Sequence, residues 1–270
     1  MTGFFKTGDR KNIYYESYGE GPALVLIPGF LCTTQFFVKN IEALSAHCRL
    51  VIPDPRGFGH SSKSGEGMNL ERMATDIREM MDALDLNDAV LLGWSMGGNI
   101  VSEYYRIFGA YRIRKIGFLD STLFPYGNGE WNAHNLAGYN LERFAEQLKS
   151  AYADYRGYCE NFARSLFKTP VPDEVYEWIA GEAMKCPVNC AMALYEDFIH
   201  TDCEAVLPGI EIPVLLCAAS SPRTPKGPEM AAYYRSLIHA PCSFHVFENA
   251  GHILFYESPE EFHQVVLEFL

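Results

Sequence analysis

Ser95 and His252 have the types and surroundings that nucleophilic catalysis needs. Ser95 lies within Gly93-Trp94-Ser95-Met96-Gly97-Gly98, after the short apolar run Ala89-Val90-Leu91-Leu92. Apolar residues at helical spacing follow from Asn99 to Phe108. A serine on a sharp strand-to-helix turn exposes its hydroxyl, and glycines on either side let backbone and helix approach closely. Met96 offers a backbone N–H at the positive end of that helix, where an oxyanion is stabilised. A serine hydroxyl is a poor nucleophile until a base takes its proton, and imidazole has a suitable pKa. Of the eight histidines, His252 lies in a loop beyond the last expected strand, beside Gly251. His47 and His239 fall on or near helices, His245 is mid-strand, and His263 is on the final helix.

These residues need a scaffold, and the chain alternates between strand-like and helix-like stretches. Phe4-Phe5-Lys6 and Ile13-Tyr14-Tyr15 flank a turn and read as a hairpin. Ala23 to Ile27 and Arg49 to Pro53 read as strands buried on both faces. Helices are expected over Thr34–Ala46 and Leu70–Leu84, the second with Met73, Ile77, Met80 and Met81 on one stripe. Ile113 to Leu119 is a strand that ends at Asp120. Later strands are Pro213–Cys217 and Ser243–Phe247, with helices over Glu229–Ile238 and Pro259–Leu270. Such alternation implies βαβ units and an α/β fold with a mostly parallel sheet of about eight strands flanked by helices. In open parallel sheets, sites form beyond the C-terminal strand ends. Pro28-Gly29-Phe30, Asp54 to Ser61, Ser95 and Asp120 all fall at such ends.

Residues 121–207 break the alternation with helical stretches and no strand-like run, punctuated by Pro170, Pro172 and Pro187. We read them as a helical lid inserted after the sixth strand, with residues 1–120 and 208–270 forming the core domain. Its aromatics include Phe124, Trp131, Phe144, Phe162 and Trp178.

Composition excludes several classes of function. A net charge of −12 with no basic stripe argues against a nucleic-acid partner and disfavours anionic membrane surfaces. No apolar run reaches the ~18 residues that span a bilayer, and the first residues lack a signal-peptide core. The eight cysteines are scattered, with no C-x-x-C pair. They are expected to be reduced, buried thiols of a cytoplasmic protein, with no metal site.

Four motifs together resemble the α/β-hydrolase family: Pro28-Gly29-Phe30, Asp54-Pro55-Arg56-Gly57-Phe58-Gly59-His60-Ser61, Gly93 to Gly98, and Asn249-Ala250-Gly251-His252. The likeness covers nearly the whole chain outside the lid. It implies Ser95 as nucleophile, His252 as base, and an oxyanion hole from the N–H groups of Phe30 and Met96. Many members have His-Gly where this chain has Pro28-Gly29. The usual acid of the family follows the strand after the lid, but Leu215 to Pro225 contains no Asp or Glu. Some relatives, including a subgroup of haloalkane dehalogenases and some lipases, take their acid from the strand end where Asp120 stands. Asp120 is therefore expected to accept a hydrogen bond from His252. The alternatives are that Asp120 only caps the lid's first turn, leaving Ser220, Ser221 or a Ser–His dyad.

The expected activity is hydrolysis of a small carboxylic ester, lactone or thioester through an acyl-enzyme on Ser95, without cofactor. The same residues also suit a cofactor-free haloperoxidase, a perhydrolase or a carbon–carbon bond hydrolase. A ligand sensor with negligible turnover is the reading from another class. Trp94, Phe124 and Trp131 are the expected substrate contacts, lining an apolar pocket for an apolar ester-like small molecule. The expected assembly is a monomer or homodimer.

Overall fold

The computed structural model describes residues 1–125 and 141–270, apart from the side chain of Leu141. Trp131 lies outside the described residues. Eight strands form one sheet: β1 (Thr2–Lys6), β2 (Asn12–Tyr18), β3 (Ala23–Ile27), β4 (Arg49–Pro53), β5 (Ala89–Trp94), β6 (Ile113–Leu119), β7 (Val214–Ala219) and β8 (Cys242–Phe247). Their spatial order is β1-β2-β4-β3-β5-β6-β7-β8. The β1–β2 and β2–β4 pairs are antiparallel, and all others are parallel. β3, β5 and β7 are buried at every residue. That is why their sequences are continuous apolar runs and do not alternate.

Helices supply the covering layers: α1 (Ile41–Ser45), α2 (Leu70–Ala83), α3 (Met96–Phe108), α8 (Gly227–Leu237), α9 (Leu254–Glu257) and α10 (Pro259–Phe269). Between β6 and β7 the described chain runs through α4 (Leu141–Ala153), α5 (Tyr155–Ser165), α6 (Asp173–Ala183) and α7 (Val188–His200), with no strand. α2 starts where the Asn69 side chain accepts the Arg72 N–H at 2.7 Å, and it buries Met73, Ile77, Met80 and Met81. The expected helix over Thr34–Ala46 is instead a 3-10 segment, Thr34–Asn40, that leads into the short α1. Its start is held from outside: the Asp54 carboxylate accepts the Thr34 N–H at 2.8 Å.

The loop after β4 is fixed by charge. Asp54 also accepts the His60 N–H at 2.7 Å. The fully buried Arg56 forks onto Asp76 at 2.8 Å and Asp9 at 2.7 Å. This part of the second sequence motif therefore braces the strand end. All eight cysteines are free thiols, seven of them buried. Among the described residues no helix is long and apolar enough to cross a membrane.

Candidate active site

β5 delivers Ser95 into a turn that only small neighbours permit. Ser95 has φ 55° and ψ −124°, a conformation that costs roughly 1–3 kcal/mol for a residue with a side chain. A Cβ on Gly93 would stand 2.1 Å from the Gly97 carbonyl oxygen, and one on Gly97 would stand 2.3 Å from that of Ile27. Both positions are therefore closed to any larger residue. From Leu91 to Ile100, Ser95 is the one residue that is not buried. Among the described residues its hydroxyl meets no hydrogen-bond partner. Catalytic hydrogen bonds are often long until substrate arrives.

The turn after β3 lies directly against Ser95: a Cβ on Gly29 would be 2.9 Å from the Ser95 Cβ. The N–H groups of Phe30 and Met96 meet no acceptor among the described residues. Met96 is the first residue of α3, where backbone donors are left over by helix geometry. Two spare donors thus flank the serine.

β5 and β6 are parallel neighbours, with Trp94 opposite Leu119. The Ser95 N–H donates to the Leu119 carbonyl at 2.9 Å, so Asp120 follows on the adjacent strand end. The buried Asp120 takes φ 46° and turns its carboxylate toward the β7 end. One oxygen accepts the Ala219 N–H at 3.0 Å. The other accepts the Thr224 hydroxyl at 2.7 Å and meets His252 Nδ1 at 2.6 Å. The imidazole is 2% exposed. Burial pushes its pKa below the usual 6.5, against the opposing pull of Asp120, so the ring is neutral at pH 7. A neutral ring that donates through Nδ1 keeps Nε2 as an acceptor.

The loop that carries His252 is anchored twice. The Trp94 indole N–H donates to the His252 carbonyl at 2.8 Å. The Glu257 carboxylate accepts the Gly251 N–H at 2.7 Å and, from the chain after α5, the N–H groups of Lys168 and Thr169 at 3.2 Å.

Trp94, expected to touch substrate, is turned into the core. It is 1% exposed and packs against Phe36, Phe37 and Phe255. Successive residues leaving a strand point to opposite sides, so the indole turns inward beneath the loop while Ser95 faces out. Phe124 is half-buried against the hydrophobic core. Thr224 and Glu257 had no sequence signature, being a lone hydroxyl and a lone carboxylate whose partners are distant in the chain.

Alongside the Phe30 turn, between the inserted helices and the core, lies a cavity of about 210 Å³. Its wall includes Phe162 and Tyr195, whose rings lie 6.5 and 5.6 Å from that of Phe30. The rest of the lining is largely polar, with Gln147, Asn161, Ser165 and Arg223. This is not the apolar pocket that the lid aromatics suggested. Many of those rings are spent on packing: Trp178 lies against Phe36 and Tyr256, and Phe144 stacks on Tyr195.

A family model described as "alpha/beta hydrolase fold" matches residues 22–259. The chain belongs to the α/β-hydrolase family. A non-heme chloroperoxidase from Streptomyces lividans is 25% identical over 263 residues, covering 90% of this chain and 95% of that protein. An esterase from Exiguobacterium antarcticum superposes with a TM-score of 0.91 at 22% identity, covering 100% and 99% of the two chains. The enol-lactonase from Burkholderia xenovorans LB400 superposes at 0.83 with 19% identity, covering 99% of each. In this α/β-hydrolase, as in parallel sheets generally, the candidate residues gather where the strands end.

Proposed function

We propose that this α/β-hydrolase cleaves a small carboxylic ester, lactone or thioester through an acyl-enzyme on Ser95. The observation that carries the reading is the 2.6 Å contact between His252 Nδ1 and Asp120. It holds the ring in the tautomer whose Nε2 can accept the serine proton. Ser95 Oγ attacks the acyl carbon while His252 Nε2 takes its proton. The negative oxygen that forms is held by the spare N–H groups of Phe30 and Met96. The intermediate collapses, the acyl–oxygen or acyl–sulfur bond breaks, and His252 returns the proton to the leaving group. Water then gives its proton to His252 and attacks the acyl-serine, which releases the acid and restores Ser95. On this reading residues 121–207 act as a lid over the core and set substrate range.

The chloroperoxidase relative favours a second reading on the same residues, in which hydrogen peroxide replaces water and the product is a peracid. A panel of p-nitrophenyl esters, with and without peroxide, separates the two. Fluorophosphonate labelling tests the nucleophile: labelling of the wild type and none of Ser95→Ala is expected. Equal labelling of both proteins would overturn the assignment, and no labelling of either would leave the chain a binding protein.

A further inference from the structure

We propose that Arg223 and the cavity it lines form a carboxylate-recognition subsite, so that the compound cleaved at Ser95 carries a free carboxylate besides its ester or lactone. This rests on the ester-hydrolase reading and adds the substrate class.

Arg223 occupies the segment after β7, where other family members are expected to carry the acid of the triad. Here Asp120 stands in the acid's place from the neighbouring strand end, and the vacated segment presents a cation. Its place is set by its neighbour, because Thr224 donates to Asp120 at 2.7 Å. The guanidinium sits 4.9 Å from the Phe162 ring and reaches the Ser165 hydroxyl at 3.4 Å. No carboxylate of a described residue pairs with it. A half-buried arginine held on an aromatic face without an acid is unusual in a chain with 34 acidic residues and a net charge of −12.

The cavity links this cation to the nucleophile's surroundings. Phe162 and Tyr195 line the cavity and also pack on Phe30, whose N–H flanks Ser95. Burial dominates both the lowered pKa of His252 and the raised pKa of Cys32, and the Arg223 charge lies near enough to add to the first and offset part of the second. Gln147, Asn161 and Ser165 add neutral polar groups to the lining, and Arg143 adds a second guanidinium. About 210 Å³ is small for a whole substrate and suits one polar end of it. A planar guanidinium pairs with a carboxylate through two parallel hydrogen bonds. The negative molecule around the subsite favours the single charge of one carboxylate end over the roughly −1.5 to −2 of a phosphoryl end.

Two measurements on the full chain test this separately from the hydrolase reading. The first is calorimetric titration with glutarate and its neutral analogue glutaramide. Wild type should bind glutarate and not glutaramide, and Arg223→Gln should weaken glutarate binding about 10- to 100-fold, the loss expected for a charge-assisted pair. Arg223→Lys keeps the charge without the fork and should fall between them. The second is the ratio of kcat/KM for mono-p-nitrophenyl glutarate to that for p-nitrophenyl valerate, which should drop in Arg223→Gln through KM. Glutarate binding that is absent, or equal in wild type and Arg223→Gln, overturns the subsite even if both esters are cleaved. Inorganic phosphate binding more tightly than glutarate overturns the choice of carboxylate. Arg223-dependent glutarate binding without turnover of either ester upholds the subsite and overturns the hydrolase reading. Melting temperatures of both variants close to wild type confirm that each is folded.

Discussion

Asp120 is held from three sides, by the Ala219 N–H, the Thr224 hydroxyl and His252. An asparagine there keeps the size but offers an N–H where His252 needs an acceptor. Asp120→Asn should lower kcat by up to ~10⁴, by analogy with the serine protease triad, with little change in KM. Thr224→Val removes one neutral donor and should cost about tenfold or less. Equal losses in the two variants would mean that Asp120 acts only as a structural brace. The pH profile tests His252. Its pKa lies below 6.5 because burial disfavours the imidazolium. On the proposed mechanism the base works only when neutral, so kcat/KM should stay level through pH 7 and decline only below 6.5. Stability follows the same sign: the unfolded chain takes up this proton near pH 6.5 and the folded chain only at lower pH. The contribution is therefore present above 6.5 and lost as pH falls through the folded value. An inflection in kcat/KM above 6.5 would contradict the burial. The pairing of Asp120 with His252 was legible in the sequence because one strand end carried a carboxylate and the next carried none. The inward turn of Trp94 was not, since adjacency to Ser95 says nothing about which side a ring takes.

At the scale of elements, the junction of β3, β5 and α3 is the most tightly specified part of the chain. Gly97→Ala would set a methyl group 2.3 Å from the Ile27 carbonyl oxygen, between two backbones that have nowhere to move. It should destabilise the fold by about 1–3 kcal/mol and displace Ser95 as well. Denaturant midpoints and fluorophosphonate labelling should therefore fall together, and a variant with wild-type values in both would refute the packing argument. Most element boundaries were readable because buried parallel strands are continuous apolar runs and α2 opens on a recognisable cap. The 3-10 start at Thr34 was not readable, because Asp54, twenty residues further on, imposes it. The anchoring of the histidine loop by Glu257 was hidden for the same reason: its other donors come from Lys168 and Thr169.

For the molecule as a whole, one buried cation has an effect out of proportion to its size. Arg56→Met would leave the buried Asp76 with Arg72 as its remaining partner and should cost about 3 kcal/mol, the low end for a broken buried pair, read as a lower denaturation midpoint. Replacing Arg56 and Asp76 together with apolar residues should recover part of that loss. The cysteines have a different consequence. Burial pushes Cys48 and Cys159 up to about 11 and raises the other six thiols too. Thiolates, not thiols, react with peroxides and alkylating agents. A chain with eight cysteines should therefore behave in solution almost as though it had none. At neutral pH iodoacetamide should add at most one slow alkylation to its intact mass, at the partly exposed Cys242, and millimolar peroxide should leave the seven buried thiols untouched. Any peroxide-dependent change in ester turnover would then report on chemistry at Ser95 and not on oxidative damage to the protein.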